Sequence, residues 1–166
     1  MGAGWGALGE RPVDPRPGRT AGHLWQEAIN NVFVGVYERQ LDERGRVALP
    51  PAFRSTIGEQ CYLTFGEDGC VRLMAADVFQ HEAQDMINKV RSGAISRSKQ
   101  RAFSSSVVTA SIDKQGRILV DPRLRAHAAI DLQSPVMVLG ALDRIEIWEP
   151  GRYDEQEAAG LEEMNQ

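Results

Sequence analysis

The chain has 166 residues, of which 42% are apolar, and its formal net charge is −4. This length and composition are typical of one compact domain, or two small ones, with a buried core. No apolar run is long enough to cross a membrane and the first thirty residues lack the apolar centre of a secretory signal, so we expect a cytoplasmic protein without a membrane partner.

Charge is distributed unevenly along the chain. The segment 89–125 contains nine basic residues and two acidic ones, whereas the segment 143–166 contains eight acidic residues and two arginines. Electric fields act locally in screened solvent, so a chain that is acidic overall can still present a basic face. The net charge therefore does not exclude a nucleic-acid partner.

The first 31 residues are rich in glycine and proline and show no apolar periodicity. Segments of this composition bury too little apolar surface to offset the entropy cost of ordering. We therefore predict that residues 1–31 are disordered.

The remainder of the chain contains an internal repeat. The run Leu41–Leu49 matches the run Ile112–Val120 at a shift of 71 residues. Further on, Tyr62–Gly66 matches Val136–Gly140 at a shift of 74, so a three-residue insertion before Pro135 separates the two blocks of matches. Ordered matches of this length indicate a duplicated structural unit.

Each repeat predicts the order strand, tight turn, strand, short helix, strand, turn, strand, helix. Val47 and Leu49 alternate with less apolar residues, as in a half-buried strand, and Pro51 suits the first turn of a helix. The sequence Glu67-Asp68-Gly69 is typical of a turn between two strands. The pattern therefore predicts a β-rich α+β fold.

The matches also define the predicted domain organisation. The first repeat covers 32–76 and the second covers 104–155. Apolar residues at helical spacing predict a helical connector over 77–103, which includes a second, basic helix over 96–103. Residues 156–166 are predicted to form an acidic tail.

The motif Asp-x-x-Gly-Arg occurs once in each repeat. Its two copies are Asp42, Gly45 and Arg46, and Asp113, Gly116 and Arg117. The glycine can adopt the positive φ of a tight turn, and the aspartate can accept hydrogen bonds from backbone N–H groups further along the loop. The arginine then presents a rigid, permanently charged fork that suits phosphate oxygens or a guanine edge. One copy alone is more typical of an ordinary hairpin, but two equivalent copies favour a nucleic-acid site.

Other candidate sites are weaker. His81 and Asp85 are four residues apart on a helix, but without a third ligand this spacing is more typical of a solvated helix face than of a metal site. Cys61 and Cys70 are interpreted as small reduced apolar residues. The sequence contains neither a nucleophile motif nor a phosphate-binding glycine loop, so we predict no enzymatic activity, cofactor or metal.

Three blocks of residues occur in a characteristic order. They are Val32–Gly35 with Tyr37 and Leu41–Pro50, then Asp113–Val120 with Leu124 and Arg125, and finally Asp143–Trp148. In this order and at this separation they resemble proteins of the MraZ family. The resemblance covers about residues 32–155.

The resemblance implies a duplicated swapped-hairpin β-barrel like that of AbrB and SpoVT, here made by two repeats of one chain. It also implies a ring-shaped homo-oligomer. The implied function is a sequence-specific transcriptional regulator that binds double-stranded DNA at direct repeats upstream of the cell-division and cell-wall gene cluster, in the cytoplasm and at the nucleoid. By the same resemblance Arg46 and Arg117 contact DNA, and Arg44 assists in the first loop.

The chain also departs from the family pattern. Asp121 stands where the first repeat has Pro50, and Gln115 stands where the first loop has Arg44, so the two loops need not contribute equally. Residues 1–31 have no counterpart in the family, and Val32 aligns with its usual initiating methionine, so a mis-assigned start is an alternative to a disordered extension. Two other functions stay open, namely an AbrB-like antitoxin and a non-DNA interaction module.

Overall fold

The computed structural model describes residues 32–166, so the prediction for residues 1–31 lies outside the described part of the chain. Residues 32–166 contain eight strands, namely β1 (Val36–Gln40), β2 (Arg46–Ala48), β3 (Gln60–Phe65), β4 (Val71–Ala75), β5 (Val108–Ser111), β6 (Arg117–Leu119), β7 (Pro135–Gly140) and β8 (Ile145–Trp148). They also contain five α-helices, namely α1 (Pro51–Ile57), α2 (Ala76–Arg91), α3 (Arg97–Ser106), α4 (Pro122–Ala128) and α5 (Pro150–Met164).

Strands from the two repeats alternate in the sheets. Six strands form an antiparallel sheet in the order β1-β7-β8-β4-β3-β5, and β2 pairs with β6 in a separate two-stranded ladder. The first strand of each repeat thus pairs with the third strand of the other repeat, and the second strand pairs with its own equivalent. The central β4–β8 pair and the β2–β6 pair both lie on a pseudo-twofold axis.

The register of the β2–β6 ladder follows this pseudosymmetry. Val47 lies opposite its equivalent Ile118, while Arg46 lies opposite Leu119 and Ala48 lies opposite Arg117. Side chains alternate between the two faces of a strand, so Val47 and Ile118 point inward and both arginines point outward. The ladder therefore places the two motif arginines on one face.

The prediction of a β-rich α+β fold with this order of elements is confirmed. The predicted closed barrel is wrong, because within residues 32–166 the six-stranded sheet ends at β1 and β5, and the β2–β6 ladder is a separate sheet. Both strands of that ladder have only three residues and are followed closely by Pro50-Pro51 or Pro122. Proline has no backbone N–H to donate, so the ladder cannot extend toward the larger sheet.

One apolar core joins the two sheets. Val47 and Ile118 of the short ladder are fully buried together with Leu73 and Ile145 from the centre of the larger sheet. The burial of each such side chain contributes about 1.5–3 kcal/mol to the free energy of unfolding. The core therefore holds the β2–β6 ladder firmly against the body of the protein.

The helix boundaries reflect local capping. Asp121 caps α4, because its carboxylate accepts a hydrogen bond from the backbone N–H of Leu124 at 2.9 Å. The predicted basic helix over 96–103 is α3, which begins one residue later, is capped by Ser96 and continues to Ser106. Residues 156–166, predicted as an acidic tail, lie in α5 and the two residues after it.

Both cysteines are free and fully buried. Burial raises the pKa of the Cys61 thiol to about 11. Burial, together with the nearby Glu146 carboxylate, raises the pKa of Cys70 to about 12. The interpretation of both residues as small reduced apolar residues is confirmed.

These thiols are expected to be unreactive in the folded protein. At pH 8 both remain protonated, and the thiolate is the form that reacts with alkylating reagents. We expect labelling of Cys61 and Cys70 by iodoacetamide only after denaturation, as measured by intact mass. Labelling of the native protein at the rate of free cysteine would contradict the burial of both side chains.

Candidate nucleic-acid interface

The first loop is organised around the carboxylate of Asp42. Its Oδ1 atom accepts the backbone N–H groups of Arg44 and Arg46 at 2.9 and 2.8 Å, and its Oδ2 atom accepts Nε–H of Arg46 at 2.9 Å. One aspartate thereby fixes both the turn and the direction of the arginine side chain that follows it.

The second loop repeats this arrangement. Asp113 Oδ1 accepts the backbone N–H groups of Gln115 and Arg117, both at 2.9 Å, and Oδ2 accepts Nε–H of Arg117 at 3.0 Å. The two loops therefore share one geometry although the residue at the third position changes from Arg44 to Gln115.

Hydrogen bonds to the charged form keep both carboxylates ionised. The backbone N–H of Arg117 is the largest influence that lowers the pKa of Asp113. Burial alone would raise the pKa of Asp42, but the backbone N–H groups of Arg46 and Arg44 and the Arg46 guanidinium lower it overall. A lowered folded-state pKa contributes stability above the ordinary carboxyl range that is lost as the pH falls through the lowered value, so both loops stay clamped at neutral pH.

The glycine of each turn is needed for two reasons. Gly45 and Gly116 have φ values of +86° and +76°, which an L side chain adopts only at a cost. In addition, the place of a Cβ on Gly116 is occupied by the guanidinium of Arg54, and the place of a Cβ on Gly45 lies 3.3 Å from Nε of Arg125. Each turn thus packs closely against an arginine of the other repeat.

These two packing arginines were missed as site residues by the sequence analysis. Arg54 of α1 donates from Nε to the carbonyl oxygen of Leu49 at 2.7 Å, and Arg125 of α4 donates to that of Val120 at 3.1 Å. Their equivalence was visible in the repeat, because Arg54 and Arg125 differ by the same 71 residues as the motif. Their contact with the opposite turn was not visible, because it depends on how the repeats pair.

The structure brings the two motif arginines together. Asp42 Oδ2, which binds Arg46, also lies 3.8 Å from Nη1 of Arg117. The side chains of Arg46 and Arg117 are 29% and 28% exposed. Two guanidinium groups with part of their donor set directed to solvent thus lie at one carboxylate, near the pseudo-twofold axis.

The loop tips add one basic residue each, at different positions. In the first loop Glu43 is followed by Arg44, whereas in the second Lys114 is followed by Gln115, and all four residues are exposed. The sequence analysis singled out Arg44 and missed Lys114, although the alignment of the repeats places it opposite Glu43. The carboxylate of Asp121, where the sequence analysis expected weaker phosphate contact, accepts the Leu124 N–H instead.

The other candidate sites do not form a centre. Asp85 pairs with Lys89 at 3.0 Å on the exposed face of α2 that also carries His81. Across residues 32–166 no three His, Cys, Asp or Glu side chains are grouped so that they could hold a metal ion. In the same range, no helix has the length and apolar character needed to span a membrane.

Known proteins share this arrangement of repeats. A family model described as "MraZ protein, putative antitoxin-like" matches residues 105–166. A protein of Lachnoclostridium phytofermentans named "Transcriptional regulator MraZ" is 32% identical over 133 residues, which cover 80% of this chain and 92% of that protein. The chain belongs to the MraZ family.

Other MraZ relatives support the same assignment. A protein of the same name from a Nocardioides species is 37% identical over 126 residues, 76% of this chain and 86% of its own length. Another, from Heliobacterium modesticaldum, is 35% identical over 136 residues, 80% of this chain and 94% of its own length. The MraZ relatives thus match most of the chain and are named as transcriptional regulators, which is not a class of enzymes.

Replacement of the second turn glycine tests the loop geometry. We expect Gly116→Ala to lower the free energy of unfolding by about 1–3 kcal/mol, because alanine is strained at positive φ and its Cβ displaces Arg54. Urea unfolding at a fixed chain concentration measures the change.

Gly160→Ala is the matched control. Gly160 lies within α5 with no heavy atom within 4 Å of an added Cβ, so alanine should raise the free energy of unfolding by about 0.5–1 kcal/mol. Equal effects of the two substitutions would contradict the close packing of Arg54 on the turn.

Proposed function

We propose that the protein is a transcriptional regulator that binds double-stranded DNA through the paired loops of its two repeats. The observation that carries the proposal is the convergence of Arg46 and Arg117 on one outward face of the β2–β6 ladder. Membership of a family whose relatives are named transcriptional regulators supports the same function.

The chemistry of the paired loops suits a polyanion. Each motif arginine uses Nε–H to bind its own aspartate, which leaves Nη donors for phosphate oxygens or for O6 and N7 of guanine. Arg44 and Lys114 lie at the loop tips, where long flexible cations suit phosphate contacts. We infer that the motif arginines provide specificity and that the tip residues provide the salt-dependent part of the affinity.

Assembly completes the proposal. A single chain with net charge −4 is expected to bind DNA weakly, because nucleic-acid affinity depends strongly on neutralised phosphates. A ring of identical chains would present one pair of loops per subunit, and linked contacts raise the apparent affinity through effective concentration. Such a ring suits direct repeats upstream of the cell-division and cell-wall genes, and a location in the cytoplasm at the nucleoid.

The order in which strands pair fits the proposed relation to AbrB-like swapped hairpins. Each repeat contributes one loop, and the loop of one repeat packs on the helix arginine of the other. Two half-sites related by a pseudo-twofold axis suit the local twofold symmetry of a DNA backbone.

Removal of the motif arginines tests the proposed DNA contact. We expect Arg46→Ala or Arg117→Ala to weaken operator binding by about 1–3 kcal/mol, roughly 5- to 150-fold, because each removes one guanidinium fork. The double variant should lose nearly all specific binding. Fluorescence anisotropy with DNA from upstream of the protein's own operon measures the affinity across a salt series.

The control is Arg39→Ala, which removes an exposed arginine on β1 that lies outside both loops. We expect this variant to bind the operator nearly as the wild type does, with all variants folded by circular dichroism. If the double loop variant keeps wild-type affinity, DNA contact through these arginines is wrong and a non-DNA interaction module becomes the better interpretation.

A further inference from the structure

The second half of α5 carries an exposed apolar pair on an acidic helix. Tyr153, near the start of α5, packs against Cys70 and Trp148, but every side chain from residue 154 to the end is exposed. Leu161 and Met164 are 51% and 82% exposed and lie three residues apart, on one face of the helix. Residues 154–166 contain five acidic residues and no basic residue.

The α2–α3 pair has the opposite character. No residue of α2 is fully buried, and cavities of about 380 and 370 Å³ along the two helices both contact Met86 and Phe103. Phe79 and Ile87 line the second of these cavities. Residues 89–101 contain five basic residues and no acidic one, and Lys89 and Lys99 line the first cavity. We call this surface the basic groove.

We propose that the acidic half of α5 docks into the basic groove of a second copy of the chain. The inference rests on the proposed self-assembly and identifies the surfaces that make it. An amphipathic helix that places apolar side chains at i and i+3 into an apolar groove is a common mode of recognition, and the charges at the rim here are matched in number and opposite in sign.

This contact has the symmetry that a ring requires. The helix and the groove are different surfaces of one chain, so the contact is heterologous, and each copy presents one of each. A heterologous contact repeated from copy to copy closes into a ring when its rotation permits closure. The contact also leaves the two Asp-x-x-Gly-Arg loops free, because none of their residues lines the basic groove.

DNA is a poorer occupant of the basic groove. The groove exposes aromatic and aliphatic surface of Phe79, Met86 and Phe103, which phosphate groups cannot cover. An acidic helix with exposed Leu161 and Met164 satisfies both the charges and the apolar lining.

Exchange of charge between the two surfaces tests the proposal. The helix variant is Glu162→Lys with Glu163→Lys, and the groove variant is Lys89→Glu with Lys99→Glu. We expect each alone to fall from the wild-type assembly toward the 18.3 kDa mass of a single chain, because like charges then meet at the contact. Sedimentation equilibrium at micromolar concentration measures the mass.

Recombination of the variants gives the decisive result. An equal mixture of the helix and groove variants should recover the wild-type mass, because each altered surface meets its complement in the other chain. Glu59→Lys with Asp131→Lys, which makes the same charge change at exposed residues outside both surfaces, should leave the mass unchanged. Dissociation of this control, or mixtures that stay dissociated, would overturn the proposed contact.

The same samples separate this inference from the proposed function. If both charge-exchanged variants keep the wild-type mass, the contact is wrong although assembly stands. If the wild type itself is a monomer, assembly and the contact are both wrong. DNA binding is assessed independently, because a dissociated helix variant should still bind a single-repeat DNA with an affinity that depends on Arg46 and Arg117.

Discussion

The reciprocal pairing of the two Asp-x-x-Gly-Arg loops is the interaction on which the rest of the structure depends. The carbonyl oxygen of Gly45 accepts the N–H of Val120 at 2.8 Å, and that of Gly116 accepts the N–H of Leu49 at 3.0 Å. Neither loop is complete in one repeat, because each turn is packed and hydrogen-bonded by the other. Two copies of the unit in one chain keep these partners at a high effective concentration.

The aspartates of the loops preorganise the arginines and also compete with any ligand. An arginine side chain loses about 2 kcal/mol of rotamer entropy when it is fixed, and the bond to Asp42 or Asp113 removes part of that cost before binding. The bond uses only Nε–H, so the remaining donors keep their capacity for a second partner. Because Asp42 lies near both Arg46 and Arg117, a ligand that draws one guanidinium changes the surroundings of the other.

The local part of the fold could be predicted from the sequence, and the non-local part could not. The glycine and aspartate pattern identified both turns, and the repeat predicted the order of strands and helices. The separation of the six-stranded sheet from the short ladder depends on strand pairing between distant segments, which periodicity does not encode. The same limit hid the packing of Arg54 on Gly116, whereas Lys114 was overlooked because only the arginine positions of the two loops were compared.

Site-directed cleavage of operator DNA tests most directly the claim that the paired loops form the DNA-contacting surface. An iron–EDTA reagent attached through Lys114→Cys reacts selectively, because Cys61 and Cys70 are buried. The account predicts hydroxyl-radical cleavage at one position within each operator repeat, and none from the same reagent attached through Glu59→Cys, outside both loops. Equal cleavage from both attachment sites, or none from position 114 while the protein is bound, would contradict it.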